Sequence, residues 1–249
     1  MAGHSKWANI KHRKARVDKL RGKLWSKCSK AIMIAARGGP DPATNLSLRY
    51  AVEEAKAANM PKDTIQRAID KGSGAGADAA AFEAVRYEGY GPAGVAVIVD
   101  CLTDNRQRTA PEMRLIFSKV GGNLGTTGCV AYNFEHKGQI TGMVGGAGEE
   151  ALMELAIEAG AENIEFEEGT FSITTAPEDL IGVKDALDDG GIETESAELT
   201  MLATNSVDVA GGDVGAVMRL VDALEDNDDV QKVYTNMEAS EEDFEAAEC

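Results

Sequence analysis

The sequence predicts an α+β protein of several domains, a three-helix N-terminal domain followed by two similar α/β modules. Three observations lead there. From Val17 onward apolar residues step by three and four, the period of one helix face. After the Gly/Ala-rich stretch "KGSGAGADAAA" (residues 71–81), strand-like runs alternate with helical ones. Two echoes then pair the modules: "TAPE" at Thr109 and again at Thr175, and "VKDALDD" at Val183 with "VDALEDNDD" at Val221.

The first helix face is carried by Val17, Leu20, Leu24, Cys28, Ala31 and Ala35, with Lys19, Arg21, Lys23, Lys27 and Lys30 elsewhere on the turn. Gly22 can break or start this helix, so residues 3–21 read equally well as an extended arm. "RGGPDP" (residues 37–42) stops it. A second helix is expected over residues 46–58. A third has Pro61 near its first turn, Ile65 and Ile69 facing inward and Gly72 past its end.

Beyond the linker, "AVRYEGYG", a Pro-Ala-Gly turn and "VAVIVDCLT" predict two strands, the second apolar enough for a covered sheet. "DNRQR" leads into a helix with Met113, Ile116, Phe117 and Val120 on one face. Both "TAPE" segments read as capping boxes, in which Thr accepts from the third helical N–H and Glu reaches back. Further strands are expected near 130–134, 138–144, 163–167, 170–174, 192–202, 206–209 and 230–234. Helices are expected near 149–159, 177–187 and 214–224. The tail "EASEEDFEAAEC" fits no period, so residues 240–249 are expected to be disordered.

Charge is the strongest functional signal. The 249-residue chain has a formal net charge of −17, yet residues 1–71 hold 16 basic and 6 acidic residues, a net of +10. Residues 138–249 hold 3 and 29, a net of −26. Eleven of the bases fall within the first 37 residues beside one acid, Asp18. Such a cationic arm lacks carboxylates to pair with locally, and it points to phosphate contact. A membrane-surface helix would want bulky apolar residues, whereas before Val17 only Trp7, Ile10 and alanines are available.

Other classes find little support. Four well-separated cysteines form no CxxC pair and fit a reducing, cytoplasmic setting. No apolar run is long enough to span a bilayer. The three histidines, His4, His12 and His136, have no ligand-spaced partner, and no catalytic motif occurs, so no metal, cofactor or catalytic residue is expected. "GSGAGA" matches a dinucleotide fingerprint but follows a helix, and "GGNLGTTG" trails a helix without a P-loop lysine. Both read as loops. Arg106 and Arg108 sit at the start of a helix, where cations oppose the dipole. They read either as an anion pocket or as partners of Asp100, Asp104 or Glu112.

The stretches "MAGHSKWANIKHRKARVDKLRGK", "RYEGYGPAGVAVIVDCLTDNRQRT", "GGNLGTTGCVAYNF", "EAGAE" and "LVDALEDNDDVQKVY" resemble the YebC family, over residues 1 to about 234. The resemblance implies a non-enzymatic, cytosolic protein of three domains with the third inserted in the second. Mapped here, these are residues 1–78, residues 79–130 with 205–239, and residues 131–204, the α/β pair being ferredoxin-like β-α-β domains. Family members are labelled probable DNA-binding transcriptional regulators. Others, mitochondrial relatives among them, look like translational activators or ribosome-associated factors that relieve stalling at proline-rich sequences. The expected nucleic-acid contacts are Lys6, Lys11, His12, Arg13, Lys14, Arg16, Lys19, Arg21, Lys23, Arg106 and Arg108. The expected partner is DNA, or ribosomal or transfer RNA with the ribosome, and neither a membrane nor a small-molecule substrate.

Overall fold

The computed structural model describes residues 21–74 and 82–248. The arm before residue 21 and most of the Gly/Ala linker therefore lie outside the described residues. The fold is α+β: a helical N-terminal part is followed by two four-stranded sheets with their helices. Two compact units result, Met1–Phe134 with Ala203–Cys249, and Glu135–Leu202.

The helical part comprises α1 (Arg21–Ala35), α2 (Leu46–Ala57) and α3 (Lys62–Gly72). Asn45 caps α2 by accepting from Leu48 N–H, while its amide donates to the Ala35 and Gly39 carbonyls. Cys28, Ile32, Ala36, Leu48, Val52, Ile65 and Ile69 form the core; of the expected first-helix face, Leu24, Ala31 and Ala35 pack partly buried against it, and Val17 and Leu20 lie outside the described residues. Gly72 is the last residue of α3 rather than the one beyond it. A side chain there would collide with the Met33 backbone, so its absence lets α3 lie close against α1.

The first sheet has the order β3-β1-β2-β9, from β1 (Glu83–Tyr90), β2 (Ala96–Thr103), β3 (Asn123–Leu124) and β9 (Val230–Thr235). Every pairing in it is antiparallel. Covered on both faces, β2 can be the continuous apolar run seen in the sequence. Val95, Val97, Val99 and Cys101 pack on α4 (Arg106–Lys119) and α7 (Gly212–Glu225) through Met113, Phe117, Val217 and Leu220.

The second unit is built from β4 (Phe134–Met143), α5 (Glu149–Glu158), β5 (Asn163–Glu167), β6 (Thr170–Thr175), α6 (Leu180–Asp189) and β7 (Thr194–Ala203). Its βαββαβ sequence and sheet order β5-β6-β4-β7 are those of the ferredoxin-like fold. Ile140, Leu152, Phe171, Ile173, Val183 and Leu187 are buried in it. The chain leaves the first unit after Phe134 and re-enters where Thr204 N–H donates to the Asn133 carbonyl at 2.8 Å.

Four expectations fail, each for a local reason. Neither "TAPE" starts a helix. Asn105 caps α4 three residues earlier by accepting from Gln107 and Arg108 N–H, which frees the Thr109 hydroxyl for other partners. Thr175 stays in β6, fully buried, and α6 begins at Leu180. Residues 130–134 are not a strand: a 3-10 turn spans Ala131–Asn133, because a buried carboxylate, Glu88, takes the Val130 and Ala131 N–H groups. The tail is not disordered throughout. Helix α8 (Glu241–Glu248) follows a parallel pair, β8 (Val207–Asp208) with β10 (Met237–Glu238). Ser240 accepts from Asp243 N–H, Asp243 accepts from Gly211 N–H, and Phe244 is buried in the sheet's core.

Candidate nucleic-acid interface

Of the expected arm contacts, Lys6, Lys11, His12, Arg13, Lys14, Arg16 and Lys19 lie outside the described residues, as does the side chain of Arg21. The described lysines of α1 are engaged at the end of α7. Lys23 Nζ donates to the Asp226 carbonyl at 2.8 Å and to its carboxylate at 3.1 Å. Lys27 donates to the Glu225 carbonyl at 3.0 Å and Lys30 to the Asp228 carbonyl at 2.7 Å.

All three acceptors lie at the C-terminal end of α7, where carbonyls lack intrahelical partners and the dipole is negative. That end also carries Glu225, Asp226, Asp228 and Asp229, charges that oppose the dipole. The three lysines satisfy the carbonyls and offset the acids together. Burial lowers the Lys27 ammonium below its ordinary value, against the pull of Glu225 and its acidic neighbours. Lys23, expected among the nucleic-acid contacts, is thus engaged within the fold.

Arg108 is engaged as well. Its Nη2 donates to Asp229 at 2.8 Å and to Asp104 at 2.9 Å. Asp229 also accepts from the Thr103 and Thr109 hydroxyls, at 3.1 and 2.9 Å, and lies 3.5 Å from Lys30 Nζ. Burial alone would raise this carboxyl, but the hydrogen bonds from Arg108, Thr109 and Thr103 together hold it below its ordinary value. Of the two readings of this arginine, internal pairing is the one the geometry gives. Asp104 is one of the partners the sequence suggests; Asp229 lies 121 residues away, beyond any local pattern. Arg106 differs, with a side chain 64% exposed and its nearest carboxylate, Glu83, 3.8 Å away.

A cavity of about 460 Å³ separates α1 from the sheet, lined among others by Lys27, Cys28, Cys101 and Gln231. Its wall charges are paired, Arg86 with Asp100 and Lys232 with Glu54. Burial pushes the Cys28 and Cys101 thiols up to about 12, too high for a nucleophile at neutral pH. Among the described residues no group of three or more His, Cys, Asp or Glu could hold a metal ion, and no helix is long and apolar enough to cross a membrane.

Two residues that organise this region have no local sequence signature. One is Asp229, signalled only by an acidic run at a helix C-terminus that requires cations. The other is Glu88, whose carboxylate accepts from the Gly128, Val130 and Ala131 N–H groups at 2.8, 3.0 and 2.9 Å. Burial alone would raise the Glu88 carboxyl, but these three bonds and the charge of Arg86 hold it below its ordinary value.

The architecture defines an α+β protein with a helical N-terminal part and a ferredoxin-like unit inserted into a second sheet domain. The chain belongs to the TACO1/YebC family: residues 5–75 match its N-terminal domain, and residues 82–237 match its second and third domain. A probable transcriptional regulatory protein of Rubrobacter xylanophilus is 52% identical over 243 residues, 97% of each chain. One of Rhodopirellula baltica is 53% identical over 238 residues, covering 95% of this chain and 96% of the relative. The crystal structure of a conserved hypothetical protein from Aquifex aeolicus is similar at a TM-score of 0.79 and 47% identity, covering 90% of this chain and 93% of that one.

Proposed function

We propose that this protein is a non-catalytic, nucleic-acid-binding regulator of gene expression in the cytoplasm, with DNA as its partner. Its basic arm would grip phosphates through Lys6, Lys11, His12, Arg13, Lys14, Arg16, Lys19 and Arg21, with Arg106 as a second contact. Lys23 would add a contact, its pair with Asp226 being largely exposed, while Arg108 contributes chiefly to the fold through Asp229. The observation that carries this reading is the concentration of eleven bases beside one acid at one end of a chain of net charge −17. The relatives' names, probable transcriptional regulatory protein, support it.

The engagement of the α1 lysines favours a second reading. With Lys23, Lys27 and Lys30 all engaged at the end of α7, α1 offers few free cations with which to read bases in a groove. Recognition by backbone and shape would suit ribosomal or transfer RNA, as a ribosome-associated translation factor does.

Salt titration tests the shared claim. If about six arm charges contact phosphate, log affinity falls against log salt with a slope near −5 on duplex DNA, or about −4 on single strands. Replacing Lys11, Arg13, Lys14 and Arg16 with Glu should abolish that slope. Crosslinking in cells then separates the partners, since retained promoter fragments support the first reading and retained ribosomal or transfer RNA the second. A slope near zero on every nucleic acid would overturn both.

A further inference from the structure

Two tyrosines stand on the surface of the first unit, Tyr90 at 37% exposure and Tyr132 at 69%. Their hydroxyl oxygens are 3.4 Å apart, and Tyr90 also donates to the Cys129 carbonyl at 3.1 Å. Tyr132 belongs to the 3-10 turn over Ala131–Asn133, between two residues whose backbones are tied down. Ala131 N–H is held by Glu88, and the Asn133 carbonyl accepts from Thr204. A buried carboxylate and three backbone donors thus form a rigid pedestal under a side chain that contributes little to any core. A large aromatic left in water and fixed in place is a surface prepared for a flat partner.

The local charge says which kind. Residues 113–134 contain Arg114 and Lys119 and no Asp or Glu, with the exposed Glu135 as the first acid after Tyr132. Lys119 ends α4, and Gly122, three residues on, packs against the Tyr90 carbonyl at the β3 edge of the sheet. The exposed surroundings of the tyrosines on the adjoining loop are Asn123, Thr126 and Thr127, neutral groups that can hydrogen-bond a base edge.

We infer that Tyr132, braced by Tyr90 and by the Glu88-held turn, is a stacking platform for an unpaired base of a bound nucleic acid. This rests on the nucleic-acid reading above and adds to it a base contact remote in sequence from the arm. Because every base has a π-face, the platform tolerates any sequence but requires a base.

The test compares two single-stranded probes of equal length and charge, a fluorescent 12-mer of oligouridylate and its abasic counterpart, by anisotropy. Tyr132→Ala should weaken oligouridylate binding by about tenfold, the usual loss for one stacked base, and leave abasic binding unchanged. Tyr132→Phe and Tyr132→Trp should bind oligouridylate as tightly as the native protein, which also separates stacking from a folding defect. Equal affinity of Tyr132→Ala and the native protein for oligouridylate, with the arm's salt slope intact, would overturn the platform and leave the nucleic-acid reading standing. A native protein that binds neither probe nor any duplex would overturn both.

Discussion

Arg108 donates to Asp229 at 2.8 Å, joining the first turn of α4 to the residue that precedes β9. Around that pair the Thr103 and Thr109 hydroxyls and the Lys30 ammonium converge on one carboxylate. Removing it leaves two buried hydroxyls and two cations short of their acceptor. Asp229→Ala should therefore destabilise the first unit by about 3 kcal/mol in denaturant unfolding.

The same carboxylate sets an acid limit. Its folded-state value lies below the ordinary 3.8, so its stabilisation is fully present above that pH. It is lost as pH falls through the folded value. The gap in unfolding free energy between the native protein and Asp229→Asn should hold from neutrality down to about pH 4 and narrow below it. A gap that widened in acid would contradict the geometry.

The lysines of α1 make a graded prediction. Lys30 has a side chain 15% exposed, pairs with the buried Asp229, and lies over the Phe82 ring at 5.5 Å. Lys23 is 43% exposed and its partner Asp226 more so. Lys30→Met should lower stability by about 1–2 kcal/mol and Lys23→Met by no more than about 0.5. High salt should erase most of the smaller effect and little of the larger. Equal losses would mean that capping α7 is not what these lysines do.

Glu88→Gln retains the shape of the pedestal but turns one acceptor oxygen into a donor facing backbone N–H groups. The expected cost is about 1–3 kcal/mol. It should appear as faster hydrogen exchange at Gly128, Val130 and Ala131, with β2 unaffected. Exchange that rose uniformly across the sheet would place Glu88 in global stability rather than in holding this turn.

The parts of the fold that follow a repeating rule were legible in the sequence. The faces of α1, α2 and α3, the strand pair β1–β2, and the positions of β5, β6, α5 and α7 follow from apolar spacing of 3.6 or 2 and from breakers. What misled were side chains whose role depends on distant partners. "TAPE" has the composition of a cap, but Asn105 takes that place and Thr109 turns to Asp229, 120 residues away. Residues 130–134 look like a strand until Glu88, some 40 residues earlier, claims their N–H groups. The acidic composition of the tail masks its order, although Ser240 and Asp243 carry a capping signature and Phe244 an anchor. In the candidate site, the expectation for Lys23 and Arg108 rests on the family resemblance and on local charge. Their pairing with Asp226 and Asp229 spans more than a hundred residues, beyond any local pattern.

The insertion of Glu135–Leu202 into the first unit also sets a timetable. β1 and β2 are complete at Thr103, yet β9, which pairs with β2 along Val97–Thr235 to Cys101–Val230, is made about 130 residues later. At roughly 5–20 residues per second the wait is on the order of ten seconds. The inserted unit, whose strands are contiguous in the chain, can close its own sheet meanwhile. Throughout that interval one edge of β2, "AVIVDCLT", has its hydrogen-bonding groups unclaimed and its apolar side chains only partly covered. A nascent chain of this design is stickiest in the interval between the synthesis of β2 and that of β9, and it loses that edge only as β9 emerges.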